Sequence, residues 1–230
     1  YHHKRIQLLG ELLNTLRHEL SNPLFGIKLT SDILHNEIND NEFKESLQEI
    51  GLGAQRCQTI IKNFSNLYNK PESISKINLD HFLNEVFKLT KSETRGIKKD
   101  ISIKCDDKDK KLEVEVNTTS LTQILFNLII NSAQAIKEKY GDSSELAFKE
   151  IKIEAKVHSN RVDISVIDNG PGIPKNLESE IMKPFFTTKK RGTGLGLSIC
   201  QKLVQNLGGK LTCEKLSPSG TKFTFGFTYD

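Results

Sequence analysis

The sequence lacks long apolar runs, paired cysteines and an excess of charge of one sign. Its longest apolar stretch, 124–130, is interrupted by Asn127, so we expect no segment that spans a bilayer. The four cysteines form no Cys-x-x-Cys pair, which argues against a zinc site or a disulfide scaffold and favours reduced thiols. The net charge of +4 is spread over interleaved acidic and basic residues, so nucleic acid is not an expected partner. With no cleavable leader pattern at the start, we expect a cytoplasmic location, and membrane attachment of a longer parent protein stays open.

The first third of the sequence has the periodicity of two amphipathic helices. Apolar residues recur at helical spacing from Leu8 to Ile27 and again from Phe43 to Leu67, and the polar segment 36–41 predicts a turn between them. Two helices alone cannot enclose a core. We therefore expect a helical hairpin that forms a dimeric four-helix bundle with a second copy.

After the polar segment 70–73, which contains Pro71, the pattern changes to alternating helices and strands. This change predicts two domains, a hairpin over residues 1–72 and an α/β domain over residues 73–230. In the second domain we expect Asp80 and Asn117 to cap helices at their N-termini. We expect three helices in this domain: one that begins after Asp80 and ends near 91, one that begins after Asn117 and ends near 139, and one over 194–207. The expected strands are 101–105, 112–116, 151–157, 162–167, 210–214 and 222–228.

The run from His18 to Pro23 combines an imidazole, a carboxylate, an amide and a proline within one predicted helix. Taken alone, this run is explained equally well by a solvent-exposed helix face and by a catalytic role. Measured from Leu16 and Leu20, His18 lies about 200° round the helix at 100° per residue, opposite the apolar stripe. The imidazole is therefore expected to be exposed.

Two amides, Asn127 and Asn131, lie four residues apart on one face of an otherwise apolar helix. They either hydrogen-bond to backbone groups or provide oxygen ligands for Mg²⁺, which accepts neutral carbonyls together with waters and phosphates. Further along, residues 168–174 read Asp-Asn-Gly-Pro-Gly-Ile-Pro, which a turn alone explains, and the glycines of 192–197 open a helix whose free N–H groups suit a phosphate. The order of these three patterns is what makes the combination specific.

Two other patterns are excluded by spacing. Gly208-Gly209-Lys210 lacks the Ser or Thr that follows the lysine of a P-loop, and Asn22 stands where a zinc protease needs its second histidine.

Together these motifs resemble the sensor histidine kinases of two-component signalling over nearly the whole chain. The phosphoacceptor box lies at 16–24, the asparagine box at 127–136, the glycine boxes at 168–174, 192–197 and 220–221, and the phenylalanine box at 183–189. The resemblance implies a dimeric hairpin followed by an α/β sandwich ATP-binding domain of the histidine kinase, gyrase and chaperone type. It also implies ATP-dependent autophosphorylation on His18, phosphotransfer to an aspartate of a response regulator, and in some members dephosphorylation of that partner.

By the same resemblance, His18 is the nucleophile, Glu19 its base and Asn22 a residue that positions water. Asp168 accepts the adenine amino group, Asn131 and Asn127 hold Mg²⁺, and Phe25 and Leu29 offer a docking surface to the response regulator. The remaining residues implied to contact ATP are Gln134, Gly170, Gly172, Ile173, Lys189, Gly192, Thr193, Gly194, Leu195, Gly196, Leu197 and Thr221. The chain departs from the common pattern at Gln134, where many members carry a basic residue.

Three other readings stay open at this point. A non-kinase ATPase of the same superfamily shares the nucleotide motifs but lacks a hairpin histidine. A degenerate interaction module dimerises without transferring phosphate, although a decayed site need not keep Asn131 and Asp168. A kinase of the mitochondrial or anti-sigma type fits less well.

Overall fold

The computed structural model describes residues 2–38, 40–68, 74–106, 112–141, 148–189 and 193–229; side-chain surroundings are described for these except 2–19, 56, 59, 60 and 62–68. The chain divides into two compact units, residues 1–70 and 71–230. The predicted boundary between residues 72 and 73 lies within the segment 69–73, outside the described residues.

The first unit is the predicted helical hairpin. Helix α1 spans His2–Glu37 and helix α2 spans Asn41–Tyr68. Between them, the Asp40 carboxylate accepts hydrogen bonds from the backbone N–H groups of Glu42 and Phe43, at 2.9 and 3.3 Å. An N-cap of this kind satisfies backbone donors that have no partner within the helix, and so fixes where α2 begins.

Small residues fill the contact between the two helices. Ser31 is buried on α1 and donates its hydroxyl to the carbonyl of Leu47, while Gly51 and Ala54 are the buried residues of α2 among those whose surroundings are described. Eight large apolar side chains among the described residues of the hairpin are exposed instead: Leu20, Phe25, Ile27, Leu29, Ile33, Leu34, Phe43 and Ile50. A single hairpin therefore leaves these apolar side chains in water.

The second unit is built on two sheets. Strands β1 (Ile74–Asn78) and β3 (Glu113–Asn117) pair antiparallel, and five further strands form a mixed sheet in the order β2-β4-β5-β7-β6, in which β2 and β4 are parallel. The elements of this unit are β2 (Lys98–Cys105), β4 (Glu150–Val157), β5 (Arg161–Asp168), β6 (Thr212–Lys215), β7 (Thr221–Thr228), α3 (Leu79–Leu89), α4 (Thr118–Tyr140), α5 (Gly196–Asn206) and a 3₁₀ turn at Lys175–Leu177.

The core of this unit lies on one face of the large sheet. Along β4 the residues Ile151, Ile153, Ala155 and Val157 are buried, whereas the alternate positions carry Lys or Glu. Helix α3 contacts β2, α4 contacts β4 and β5, and α5 contacts β7. A strand with one apolar and one charged face, covered by helices on the apolar face, is the pattern of a two-layer sandwich, which confirms the predicted fold class. Among the described helices, none is long and apolar enough to cross a membrane.

One predicted helix cap is confirmed and one is wrong. The Asn117 side chain accepts a hydrogen bond from the Ser120 N–H at 2.7 Å and caps α4. The cap of α3 is Asn78, which accepts from the His81 N–H at 3.0 Å, and not Asp80. Asp80 lies in the first turn, where a carboxylate complements the positive end of the helix dipole.

Strand β1 is the one strand of the described chain that the periodicity did not predict. Its sequence Ile-Ser-Lys-Ile-Asn is short and largely exposed, so it carries no clear alternation. The strand exists because it pairs with β3, with Ile77 opposite Val114. A pairing partner forty residues away is not visible in a local pattern.

Candidate functional site

A buried carboxylate, Asp168, ends strand β5. Its side chain accepts hydrogen bonds from the Gly170 backbone N–H at 2.9 Å and from the Ser132 hydroxyl at 3.0 Å. Burial raises the pKa of Asp168, and the hydrogen bonds from Gly170, Ser132 and the Thr221 backbone oppose that rise, as does the charge of Lys139. Hydrogen-bond donors thus hold the buried carboxylate in place, and its oxygens can accept a further hydrogen bond.

The loop after Asp168 needs glycine at two positions. A Cβ on Gly170 would lie 2.8 Å from a carboxylate oxygen of Asp168. Gly172 has a φ of +78°, and a Cβ there would lie 2.9 Å from the carbonyl oxygen of Gly220. The predicted turn is present, and its glycines also keep the backbone of three segments in close contact beside the carboxylate.

A second cluster joins α4 to the segment before α5. The Lys189 ammonium donates to the side-chain oxygens of Gln134 at 2.6 Å and Asn131 at 3.3 Å. Burial lowers the pKa of Lys189, while the charges of Glu138 and Asp168 oppose the change. Lys189 therefore brings a cation beside Gln134, the position at which the resemblance leads one to expect a basic residue.

Asn127 lies one turn before Asn131 and is half-buried. Its side chain hydrogen-bonds to the thiol of Cys200 on α5, and burial raises the pKa of that thiol to about 12. Its described contact is therefore structural and links α4 to α5. The expectation that Asn127 binds Mg²⁺ stays a prediction.

The segment before α5 is held in a strained conformation. Gly194 has a φ of +69°, and a Cβ there would lie 2.3 Å from the carbonyl carbon of Phe185. Phe185 itself has a φ of +67°, which is unusual for an aromatic residue, and its side chain is 59% exposed. Helix α5 begins at Gly196, next to Asn131, since a Cβ on Gly196 would lie 3.7 Å from the Asn131 amide nitrogen. The free N–H groups at the start of α5 are thus close to the amides of α4.

The remaining predicted contacts lie around these clusters. Thr221 is buried and pairs with Asp168 across β5 and β7. The Thr193 hydroxyl accepts a hydrogen bond from the Leu195 N–H at 3.4 Å, and Leu195 is buried. Ile173 and Leu197 are half-buried, and Gly192 lies outside the described residues.

The predicted phosphoacceptor lies in α1. The side chains of His18 and Glu19 are outside the description, and Asn22, one turn later, is exposed. Phe25 and Leu29 are 58% and 48% exposed, as predicted. Because other apolar side chains of α1 are also exposed, exposure alone does not separate a docking face from a dimer face.

Two residues of the site were missed by sequence reasoning, Ser132 and Lys139. Ser132 donates to Asp168, and its only sequence signal is a hydroxyl next to Asn131 in an apolar helix. Lys139 donates to the carbonyl oxygen of Gly170, and a lysine near a helix end gives no signal at all.

Two family models match the chain, one to each unit. A model described as His Kinase A (phospho-acceptor) domain matches residues 8–71. A model described as histidine kinase-, DNA gyrase B-, and HSP90-like ATPase matches residues 116–230.

Curated relatives match across both units. The signal transduction histidine-protein kinase AtoS of Escherichia coli (strain K12) is 28% identical over 224 residues, covering 96% of this chain and 35% of the relative. The sensory histidine kinase/phosphatase NtrB of Vibrio alginolyticus is 27% identical over 226 residues, covering 96% of this chain and 63% of the relative. The chain thus spans only part of the length of these relatives.

Solved structures agree with this match. The catalytic domain of histidine kinase ThkA is 35% identical, with a TM-score of 0.55, over 68% of this chain and 96% of that chain. Histidine kinase ThkA in complex with response regulator protein TrrA is 30% identical, with a TM-score of 0.63, over 99% of this chain and 64% of that chain. Since one family model covers the hairpin and the other the α/β unit, in that order, the chain belongs to the histidine kinases and comprises their catalytic core.

Proposed function

We propose that this chain is a protein-histidine kinase, which transfers the γ-phosphoryl group of ATP to His18 and from there to an aspartate of a response regulator. The observation that carries the proposal is the buried Asp168, fixed by Gly170 and Ser132, in the same unit as the cluster of Lys189 with Asn131 and Gln134. A carboxylate can accept the adenine amino group and a cation can pair with the phosphates, so the two clusters together suit ATP.

The adenine base is proposed to lie against the Asp168 loop. Asp168 accepts a hydrogen bond from the exocyclic amino group, with Gly170, Gly172 and Ile173 at one side and Thr221 at the other. A hydrogen bond to a charged acceptor is stronger than one between neutral groups, so this contact favours adenine over bases that lack the amino group.

The triphosphate is proposed to lie between Lys189 and the start of α5. Free N–H groups at a helix N-terminus, with the positive end of the helix dipole, favour a phosphate there. The glycines before α5 let the backbone approach the anion closely. The contacts proposed are from Gln134, Lys189 and residues 192–197.

Mg²⁺ fits the donor set of this site. The side-chain oxygen of Asn131 accepts one hydrogen bond, from Lys189, and its second lone pair can bind an ion. Mg²⁺ binds few protein ligands and completes its shell with waters and phosphate oxygens, which a neutral amide permits. We propose Asn131, with Asn127, as its ligands; the bound ion would neutralise charge on the triphosphate.

The transfer itself is proposed to use His18 as a nucleophile. A neutral imidazole has a ring nitrogen with a free lone pair, which can act as the nucleophile. That nitrogen forms a bond to the γ-phosphorus as the bond from phosphorus to the bridging oxygen breaks and ADP leaves. Glu19 accepts the proton from the other ring nitrogen. In the second step an aspartate oxygen of the partner displaces the imidazole from phosphorus.

Two partners are proposed. A second copy of the chain covers the exposed apolar stripe of the hairpin, which gives a homodimeric four-helix bundle. A receiver domain docks at Phe25 and Leu29, in keeping with the structure of ThkA with its response regulator. Asn22, exposed one turn after His18, is proposed to hold water for dephosphorylation of that partner, a reaction that the name of the NtrB relative includes.

The test is incubation with Mg²⁺ and ATP labelled in the γ-phosphate, comparing the chain with His18→Gln and His35→Gln. His35 is a matched control because it lies on the same helix, α1. We expect acid-labile, alkali-stable label in the original chain and in His35→Gln, and none in His18→Gln. Label that persists in His18→Gln overturns the assignment.

A second variant tests the nucleotide site. Asp168→Asn should weaken ATP binding by about ten-fold or more, since it replaces a charged acceptor by an amide. Unchanged ATP affinity in a folded variant would refute the role of Asp168 while leaving that of His18 intact.

A further inference from the structure

We infer that Lys139 is a positioning residue for recognition of the base, because it holds in place the turn that carries Asp168. The inference rests on the proposed function, and it assigns a role to a residue outside every motif named above. Lys139 lies in the last turn of α4, eight residues after Asn131.

The Lys139 ammonium makes three hydrogen bonds. It donates to the carbonyl oxygens of Asn169 at 3.0 Å and Gly170 at 3.2 Å, and to the hydroxyl of Ser219 at 2.6 Å. The neighbouring Tyr140 adds a hydroxyl donor to the Asn169 carbonyl at 3.3 Å. Lys139 therefore joins three segments: the end of α4, the turn after Asp168 and the connection between β6 and β7.

The third of these segments also touches Asp168. A Cβ on Gly220 would lie 2.3 Å from the Asp168 carbonyl oxygen, so the two backbones are in direct contact. The Gly220 carbonyl in turn accepts the Leu216 N–H at 3.0 Å. A link from Lys139 to Ser219 thus restrains the Asp168 turn from both sides.

This restraint acts on the carboxylate through Gly170. The Gly170 N–H donates to the Asp168 side chain at 2.9 Å, and the Gly170 carbonyl accepts from Lys139. If the Lys139 bonds are lost, the peptide groups that orient the carboxylate can rotate. Hydrogen-bond strength falls steeply with misalignment, so a small rotation weakens the contact with the base.

The experiment compares two nucleotides in the whole chain. Inosine triphosphate carries a carbonyl and a protonated N1 where ATP carries the amino group and an unprotonated N1, so the ratio of the two affinities reports how the site recognises the edge of the base that is proposed to face Asp168. We would measure both affinities for the original chain, Lys139→Met, Lys139→Arg and the control Lys202→Met, which removes an exposed lysine from α5.

In Lys139→Met we expect the ATP affinity to fall by about ten-fold with the inosine triphosphate affinity nearly unchanged, in line with the loss of one charged hydrogen bond. Lys139→Arg keeps the charge and the donors, so it should restore most of the ratio. Lys202→Met should leave the ratio unchanged. If Lys139→Met is poorly folded, Ser219→Ala replaces it, with a smaller loss of about two- to three-fold from one weaker bond.

The outcomes separate the two proposals. If the original chain prefers ATP and a folded Lys139→Met keeps the same ratio, the inference is overturned and the role of Asp168 stands. If Lys139→Met weakens both nucleotides equally, Lys139 is structural and not positioning. If the original chain does not prefer ATP, the proposed base contact fails, and the inference fails with it.

Discussion

The hairpin and the α/β unit differ in how far they bury large apolar side chains. In the α/β unit Ile129 and Ile153 have no exposed surface, whereas in the hairpin Phe25 is 58% and Phe43 64% exposed. The difference in burial arises because a sheet covered by helices encloses a core, while two helices share only one line of contact. The α/β unit completes its own core, whereas we propose that a second copy of the chain covers the apolar side chains of the hairpin.

The residues with a proposed function also differ in exposure between the two units. The residues proposed to bind ATP are set in a packed framework, where Asp168 is buried and the loop glycines are in backbone contact. The proposed phosphoacceptor lies on a helix whose neighbouring residues are exposed. A nucleotide site gains from rigid donors, and an acceptor that must meet both ATP and a partner protein gains from access.

The largest expected difference between the units comes from truncating a matched pair of isoleucines. Ile129 on α4 is fully buried and Ile33 on α1 is 47% exposed. We expect Ile129→Ala to lower the free energy of unfolding of its unit by about 2–5 kcal/mol, and Ile33→Ala to cost less than about 1 kcal/mol in dilute solution. Hydrogen exchange of amides in each unit measures both values. Equal losses would contradict the contrast drawn between the units.

A second pair of variants separates the two exposed faces of α1. Ile27 belongs to the predicted dimer stripe and Phe25 to the predicted docking face, and they are 47% and 58% exposed. Ile27→Glu should raise the dissociation constant of the dimer by about ten-fold or more, because each copy loses a buried side chain. Phe25→Glu should leave self-association intact and weaken binding of a receiver domain. Sedimentation equilibrium measures the first effect, and a monomeric Phe25→Glu variant would show that the faces are assigned the wrong way round.

Two glycines offer a third comparison. Gly194 has a positive φ and a Cβ would meet Phe185 at 2.3 Å, whereas Gly53 on α2 has open space around it. Gly194→Ala should weaken ATP binding several-fold, since alanine at positive φ costs about 1–2 kcal/mol even before the clash. Gly53→Ala should stabilise the hairpin by about 0.5–1 kcal/mol. Isothermal titration measures the ATP affinity of Gly194→Ala, and the unfolding midpoint of the hairpin measures the effect of Gly53→Ala. A Gly194→Ala variant that is more stable than the original chain would contradict the steric conflict expected at position 194.

The smallest expected effect is the pH dependence that Asp168 gives to its own unit. Burial raises its pKa above the ordinary value of 3.8 in the folded state, so the folded state binds the proton more tightly than the unfolded one. Its contribution to stability is therefore greatest below pH 3.8 and falls as the pH rises through the folded pKa. Asp168→Asn removes this term.

The difference in unfolding midpoint between Asp168→Asn and the original chain should accordingly move in favour of the variant as the pH rises from about 4 to 7. Thermal melts of the two proteins in matched buffers measure it, and the other titrating groups cancel in the difference. The hairpin should show no such change, because it does not contain Asp168. A difference that moves the other way would mean that hydrogen bonds to Asp168 outweigh its burial.

Much of the fold followed from local patterns. Both hairpin helices, the Asn117 cap and the strands β4 and β5 were predicted, because each rests on a periodicity or a cap within a few residues. The Asp80 cap was wrong by two residues, since both Asn78 and Asp80 are good capping residues and only the backbone geometry of α3 chooses between them. Strand β1 was missed because it exists only through its pairing with β3.

The candidate site divides in the same way. Asp168, Asn131 and the glycines were visible because their spacing is unusual. The hydrogen bonds of Ser132 and Lys139 were not, since each joins residues about thirty positions or more apart, 36 for the pair of Ser132 and Asp168 and 31 for that of Lys139 and Gly170.

By itself, the order of residues determined that the chain holds a helical hairpin, then an α/β domain with three glycine-containing segments. The periodicity of a helix and the conformational freedom of glycine depend on neighbouring residues only, so both can be predicted from the sequence. Tertiary structure alone decided that Lys189 lies beside Gln134, that Phe185 presses on Gly194, and that Lys139 binds the turn of Asp168. These contacts depend on how distant segments pack against one sheet, and packing is set by the whole core at once, not by any stretch of it.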